Sequence, residues 1–295
     1  MQRTIKALFF DVFGTLMEWR NSVAREAQAS LEPLGYSLDW LAFADAWRGE
    51  YHPAMAEVRS GRRPFCKLDV LHRENLEKTL PRFGVSGLSE EQLTHLNLAW
   101  HRLTAWPDTA PGLLRLKQKF RIAPCSNGNI SLMVDLARHN GLPWDTILGS
   151  EIAGNFKPEP RVYLAACEAL DLAPGECMMT AAHSRDLAAA AKLGLRTAHV
   201  ARPNEYGPGK GEAARPSRWT SSPPASRILR RSSGPDWRPA KTGLFPEAVA
   251  DNVHARGTAR AAAPRGSERV FAWRRALVLD FPGAVVDRFL PAFLA

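Results

Sequence analysis

The amino-acid sequence predicts an α/β fold in which a doubly wound, Rossmann-like parallel sheet carries an inserted helical cap. The first observation is a strand-length apolar run, residues 7–10, which ends in Asp11 and a glycine turn. The second is a set of later apolar stretches. Two of them, one that ends at Cys125 and one at residues 178–182, lead directly into polar residues. The third is a long helical segment between the first strand and the others. Together they predict strands buried on both faces, with a ligand crevice at their carboxyl ends.

Asp11 stands just beyond the first predicted strand, where open α/β sheets usually carry out their chemistry. Residues 11–15 (DVFGT) are equally compatible with a plain turn in which the aspartate caps the backbone. This segment alone leaves both interpretations open.

Helical patterns follow the first strand and predict a cap domain at residues 17–104. The four predicted helices cover residues 21–34, 40–58, 65–80 and 89–103. The last begins with SEEQ, a capping box in which Ser89 and Gln92 satisfy each other's backbone N–H groups. Strands and helices then alternate again, so residues 1–16 and 105–206 are assigned to the α/β core.

The predicted core elements alternate as a doubly wound sheet requires. Strands are expected at residues 120–125, 146–148, 176–180 and 196–200. Helices are expected at residues 113–119, after Pro158 and at residues 187–193. Pro158 suits the first turn of its helix, where a missing N–H does no harm.

Residues 207–295 differ in composition from the rest of the chain. They hold 15 of the 39 lysines and arginines but 7 of the 30 aspartates and glutamates, which is +8 of the net charge of +9. The remaining part is nearly neutral, which argues against nucleic acid as a partner of the core. Periodicity is almost absent from this segment, which predicts a disordered basic tail. Two interpretations stay open: a tail that binds polyanions, or an aberrant extension produced by a frameshift or read-through.

No apolar stretch approaches the roughly 20 residues of a membrane span, and residues 7–10 are too short for the core of a signal peptide. The four cysteines show neither CxxC nor metal-site spacing. We therefore expect free thiols in a reducing, cytoplasmic environment and no membrane partner. The sequence leaves open whether the chain forms a homodimer.

Four motifs occur in the order typical of the haloacid dehalogenase superfamily, which the chain resembles over about residues 6–206. They are DVFGT at residues 11–15, SNG at residues 126–128, Lys157-Pro158, and Asp186 after an apolar run. The resemblance implies a Rossmann-like core with a helical cap inserted after the first strand. It also implies that Asp11 is a nucleophile.

Phe13 favours one branch of that superfamily. In the phosphatases a second aspartate, two residues after the nucleophile, protonates the leaving alkoxide, and here that position is Phe13. A positioned acid typically contributes about 100- to 10,000-fold to such a step, whereas a halide leaves as a stable anion and needs no proton. The motif therefore resembles the type II (S)-2-haloacid dehalogenases.

The resemblance also implies roles for the other site residues. The implied catalytic residues are Asp11, Lys157, His183 and Asp186, and the implied substrate-binding residues are Thr15, Arg48, Ser126, Asn127 and Tyr163. Arg48 would receive the departing halide, and Lys157 would hold Asp11 ionised. From the residues alone, both cations are also compatible with a solvated surface, and Ser126 and Asn127 with an ordinary turn.

His183 departs from the pattern of the branch. That pattern is Ser-x-Asn-x-x-Asp, which falls on Ala181, His183 and Asp186 in this chain. Asp186 remains to orient a hydrolytic water. An imidazole at residue 183 can donate or accept as the amide would, and it can also become charged near neutral pH.

The predicted reaction converts an (S)-2-haloalkanoic acid, or a haloacetate, to an (R)-2-hydroxy acid and halide through an aspartyl ester. The expected partner is thus a small haloacid. Neither a cofactor nor a metal is implied, since the ammonium of Lys157 would balance the substrate carboxylate. Two alternatives are a phosphatase with an unusual acid and a non-catalytic fold whose tail binds polyanions.

Overall fold

The computed structural model describes residues 4–212 and shows a parallel five-stranded sheet at the centre of an α/β core. The strands of this part of the chain are β1 (Ala7–Phe10), β2 (Met17–Glu18), β3 (Thr104–Ala105), β4 (Arg121–Ser126), β5 (Leu148–Gly149), β6 (Cys177–Ala181) and β7 (Arg196–His199). The sheet order is β5-β4-β1-β6-β7, and its strand pairs are all parallel. The predicted α/β fold is confirmed.

Strand β1 is the central strand and is buried on both faces. Leu8 and Phe10 pack into one hydrophobic cluster, whereas Ala7 and Phe9 pack into another. Since side chains alternate between the two faces of a strand, the two clusters lie on opposite faces of the sheet. Such a strand requires an uninterrupted apolar run, which is why residues 7–10 could be identified from the sequence.

Ten α-helices are present within residues 4–212. Five lie between β2 and β3: α1 (Trp19–Leu31), α2 (Trp40–Gly49), α3 (Tyr51–Arg59), α4 (Leu68–Thr79) and α5 (Glu90–Asn97). The others are α6 (Thr109–Lys117), α7 (Ile130–Asn140), α8 (Ser150–Ala153), α9 (Pro160–Glu168) and α10 (Ser184–Lys192). The predicted capping box starts α5, where the Gln92 N–H donates to Ser89 Oγ. None of these helices is long and apolar enough to cross a membrane.

The single helix predicted over residues 40–58 is wrong, because the chain forms two helices, α2 and α3, that meet at Glu50. Pro53 lies in the first turn of α3 and has no N–H to donate to the carbonyl of Gly49, four residues earlier. Gly49 also has a low helix propensity. The apolar periodicity continues across this break, so the pattern alone does not reveal it.

The helical segment leaves and rejoins the core through the antiparallel pair β2 and β3. A second link is His101, whose ring nitrogens lie 2.7 Å from Asp135 Oδ2 in α7 and 3.1 Å from Asp69 Oδ1 in α4. Burial favours the neutral ring, but the two carboxylates outweigh it and raise the pKa of His101. The helical segment is therefore connected to the core by a charged hydrogen-bond bridge as well as by the strand pair.

Residues 201–212 pack against the core after β7. Arg202 donates to both carboxylate oxygens of Asp108 at 2.9 Å and, through its backbone N–H, to the carbonyl of Glu212 at 2.9 Å. The Glu212 carboxylate accepts from the Ser184 N–H at the start of α10, where a negative charge is favourable. Contacts of Glu212 thus hold the end of this segment, which the sequence assigned to the tail, against the core. The rest of the predicted tail, 213–295, lies outside the described residues.

Candidate active site

The polar residues that follow three neighbouring strands meet at the carboxyl edge of the sheet. Asp11 follows β1, Asn127 follows β4, and His183 follows β6. Because β1 lies between β4 and β6, Asp11 is at the centre of this group. Lys157, from the loop before α9, reaches the same place.

Asp11 is buried, and both of its carboxylate oxygens have hydrogen-bond partners. Oδ1 accepts from Lys157 Nζ at 2.7 Å. Oδ2 accepts from Thr15 Oγ1 at 2.7 Å and lies 3.0 Å from His183 Nδ1. Burial alone would raise the pKa of Asp11, but Lys157 and His183 outweigh it and hold that pKa well below its ordinary value. The carboxylate is therefore ionised at neutral pH.

Lys157 stands between two carboxylates. Its Nζ donates to Asp11 Oδ1 at 2.7 Å and to Asp186 Oδ2 at 2.6 Å. Burial favours the neutral amine, yet the two carboxylates raise the pKa of Lys157 well above its ordinary value, so the group is an ammonium. Tyr163 OH donates to the other oxygen of Asp186. Burial raises the pKa of Asp186, an effect that the nearby ammonium only partly opposes.

Asn127 holds the loop that carries Lys157. Its Oδ1 accepts from the backbone N–H of Lys157 at 2.8 Å and from Ser150 Oγ at 3.0 Å. The resemblance places Asn127 among the substrate-binding residues. In the structure its oxygen holds the backbone of Lys157 at the point where the ammonium enters the site.

Ser126 is fully buried at the end of β4, and its Oγ accepts from the Gly128 N–H at 3.1 Å. This contact leaves the hydroxyl proton for another acceptor. A Cβ on Gly128 would come within 2.4 Å of Met133 Cε, the end of a flexible side chain that would have to move. Helix α7 starts at Ile130, whose N–H donates to Glu151 Oε2 at 2.6 Å, so a carboxylate already lies at this helix N-terminus.

Arg48 carries its guanidinium inside an aromatic cage. Its Cζ lies 3.8 Å from the ring centre of Tyr51, 5.5 Å from Trp19, 5.8 Å from Phe13 and 5.9 Å from Trp100. Its Nη1 is buried without a hydrogen-bond partner among residues 4–212. A buried donor without a partner is costly, so this geometry suits an anion. Phe13 links the cage to the loop of Asp11.

The wall behind the cage contains a buried histidine that was not predicted from the sequence. His72 stacks on Trp100 with 4.3 Å between the ring centres, and neither of its ring nitrogens has a partner within the described part of the chain. Burial lowers the pKa of His72 to about 3, so the ring is neutral. It lies in a predicted helix, 65–80, whose apolar periodicity gave no indication of a role for it.

His183 lies between two carboxylates, the second of which was also not predicted. Nδ1 is 3.0 Å from Asp11 Oδ2, and Nε2 is 3.0 Å from both carboxylate oxygens of Glu205. Burial favours the neutral ring, but Asp11 and Glu205 outweigh it and raise the pKa of His183 to about 10. The ring is therefore an imidazolium at neutral pH. Glu205 belongs to the segment after β7 and to none of the recognised motifs.

These residues can be compared with those of known protein families. Residues 5–194 match the model of the haloacid dehalogenase-like hydrolases. The chain belongs to this family. The superfamily membership predicted from DVFGT, SNG, Lys157-Pro158 and Asp186 is thereby confirmed.

Individual relatives of this haloacid dehalogenase-like hydrolase are 2-haloacid dehalogenases. One is a defluorinating L-2-haloacid dehalogenase of known crystal structure, whose sequence is 45% identical to this chain. The two structures match with a TM-score of 0.69 over 70% of this chain and 85% of the other. A second L-2-haloacid dehalogenase of known crystal structure is 49% identical in sequence, and its structure matches with a TM-score of 0.68 over 70% of this chain and 89% of the other. The (S)-2-haloacid dehalogenase 1 of Pseudomonas sp. (strain CBS-3) is 29% identical over an alignment of 209 residues, and this alignment covers 68% of this chain and 88% of the relative. The predicted resemblance to this branch is confirmed.

Proposed function

We propose that this hydrolase converts (S)-2-haloalkanoic acids, or haloacetates, to (R)-2-hydroxy acids and halide through an ester of Asp11. One observation carries the proposal: the ionised Asp11 lies against an ammonium, and Phe13 connects its loop to a cage that holds an unpaired guanidinium. A nucleophile and an anion receptor are thus combined without a proton donor at residue 13. The 2-haloacid dehalogenases among the relatives support the same reaction here.

In the first step Asp11 Oδ1 attacks the α-carbon in line with the carbon–halogen bond. The bonding pair leaves with the halide, which the Arg48 Nη1 group binds in its aromatic cage. Phe13 is 2% exposed and lies edge-on to the rings of Tyr51 and Trp100, so it supplies apolar surface and no proton. Because the attack inverts the carbon once, an (S) substrate gives an (R) product.

The substrate carboxylate is expected to bind at the turn after β4. The Ser126 hydroxyl proton offers a donor there, whereas the first N–H of α7 already donates to Glu151. The resemblance places Thr15 and Tyr163 among the substrate-binding residues. Because they donate to Asp11 and Asp186, we propose that they act through those carboxylates.

In the second step water attacks Cγ of the Asp11 ester. Asp186 is the proposed base, because burial raises its pKa and makes it a better proton acceptor than an ordinary aspartate. Lys157 and Tyr163 fix the orientation of its two oxygens. The accepted proton then passes to the alkoxide of the departing hydroxy acid, which regenerates Asp186. Asp11 is formed as the carboxylic acid and returns to the carboxylate by releasing the second proton of the water to solvent.

A halide-release screen with purified protein tests this function. We expect chloride from (S)-2-chloropropionate with a chelator present, (R)-lactate as the product, and negligible release from the (R) substrate. Fluoro-, chloro- and bromoacetate belong in the same screen, and fluoroacetate is the informative one because one relative is a defluorinating enzyme.

The same preparations distinguish the alternatives. p-Nitrophenyl phosphate with Mg²⁺ should be hydrolysed negligibly, although its good leaving group needs little help from an acid. Metal-dependent phosphate release without halide release would favour the phosphatase. Polyanion binding without either activity would favour the non-catalytic fold.

A further inference from the structure

The two oxygens of Asp11 have different surroundings. Oδ1 accepts from Lys157, whereas Oδ2 faces both the Thr15 hydroxyl and His183 Nδ1. The Thr15 oxygen itself accepts from the Ala182 N–H at 2.8 Å, so its proton is directed at Asp11. Oδ2 is thus fixed by two donors, and Oδ1 is the better placed oxygen for attack.

Glu205 determines the state of the second donor. It is 1% exposed, and its two oxygens lie 3.0 Å from His183 Nε2. Trp19 Nε1 donates to the same carboxylate at 3.3 Å. Because both ring nitrogens of His183 face a carboxylate, both carry hydrogen, and the ring cannot accept a proton from water.

Gly14 makes this approach of Glu205 sterically possible. A Cβ at Gly14 would lie 2.0 Å from Glu205 Oε1, and the backbone there has φ of +81°, which disfavours other residues. The glycine of the first motif therefore both turns the chain after Asp11 and admits the Glu205 carboxylate to the site.

We propose that Glu205 is a positioning residue that keeps His183 as an imidazolium, and that His183 Nδ1–H and the Thr15 hydroxyl together stabilise the negative charge on Asp11 Oδ2 during ester hydrolysis. This inference rests on the proposed function. In the ester, Oδ1 is bonded to the substrate carbon and Oδ2 is the carbonyl oxygen. When water attacks Cγ its proton goes to Asp186, and the carbonyl electron pair moves onto Oδ2. Collapse returns that pair, breaks the Cγ–Oδ1 bond and passes the proton from Asp186 to the alkoxide. Asp11 then releases the second proton of the water to solvent and is a carboxylate again.

The two chemical steps should depend on these donors in opposite ways. During alkylation Asp11 loses its negative charge to the halide, so donors at Oδ2 stabilise the reactant more than the transition state. During hydrolysis negative charge grows on Oδ2, and fixed donors at 2.7 and 3.0 Å stabilise it. A weaker His183 donor should therefore slow hydrolysis without slowing halide release in the first turnover.

Glu205→Gln tests this with (S)-2-chloropropionate, using rapid-quench chloride assays and intact mass spectrometry. We expect a stoichiometric chloride burst at close to the normal rate, followed by turnover that is about 10- to 100-fold slower than normal. This loss is smaller than the loss expected when an oxyanion donor is removed completely. The mass spectrum should show the ester of the enzyme accumulating. Glu212→Gln is the matched control, because that carboxylate belongs to the same segment but contacts Ser184 rather than His183; it should accumulate no ester.

Three outcomes would contradict the inference. Equal slowing of the burst and of turnover in Glu205→Gln, or ester accumulation in Glu212→Gln as well, would assign Glu205 a merely structural role. No change in either step would remove any role for it. If Glu205→Gln does not fold, Thr15→Val removes the other donor to Oδ2 and should accumulate the same ester. Absence of chloride release from the unaltered protein would instead overturn the proposed function, and the inference with it.

Discussion

Asp11→Asn should retain the fold and lose turnover on the order of 10⁴-fold or more, as expected for removal of a nucleophile. An amide is too weak a nucleophile for displacement at carbon. The fold should survive because Lys157 keeps Asp186 as a partner and His183 keeps Glu205. Halide release and circular dichroism measure the two expectations separately.

Asp108→Asn is the matched control, because it also removes a carboxylate that forms a salt bridge. Asp108 pairs with Arg202, away from the carboxylates that contact Lys157. Its variant should keep turnover within a few-fold of the unaltered protein. If Asp11→Asn kept a tenth or more of the activity, Asp11 would not be the nucleophile.

Lys157→Met should lower kcat/KM by about 10³-fold, the upper range for loss of one preorganised electrostatic group. It leaves Asp11 and Asp186 facing each other in a buried site without the ammonium between them. The pKa of Asp11 should then rise, because burial and the neighbouring Asp186 carboxylate both favour the neutral acid once the ammonium is gone. Because the reaction needs the ionised carboxylate, the residual activity should increase as the pH rises.

The measurement is kcat/KM between pH 5 and pH 9 for both proteins. Arg59→Gln is the matched control, since that guanidinium donates to the Lys157 carbonyl at 3.3 Å. Its profile should keep the shape of the unaltered one. An acid limb at the same pH in Lys157→Met and in the unaltered protein would mean that Lys157 does not govern the ionisation of Asp11.

An apolar run that ends in a polar turn is a local pattern, so the sequence could identify Asp11 and Asn127 at the ends of strands β1 and β4. Lys157, in the loop before α9, and Asp186, in α10, were identified through the order of the family motifs, and the fold brings both to Asp11. The detailed use of Asn127 was not predictable, because its contact with the Lys157 N–H spans 30 residues and depends on the path of a loop.

Glu205 shows the limit of the sequence most clearly. Asparagine is the residue of the branch pattern at position 183, which by itself predicts that His183→Asn is far milder than loss of Lys157. The structure predicts an additional loss of stability for this variant, because asparagine would leave Glu205 as a buried carboxylate without its charged partner. Glu205 follows the last core strand in a turn without a motif, next to a tail of different composition, and no local pattern connects it to His183.

Single turnover in ¹⁸O-enriched water tests the central claim most directly. With the enzyme in excess over (S)-2-chloropropionate, water attacks Cγ of the ester, so the first label should appear in the carboxylate of Asp11. Peptide mass spectrometry should locate it there, while the first lactate formed should carry unlabelled oxygen from the enzyme. Label in the first lactate, with Asp11 unlabelled, would mean that water attacks the substrate carbon directly and would contradict the ester.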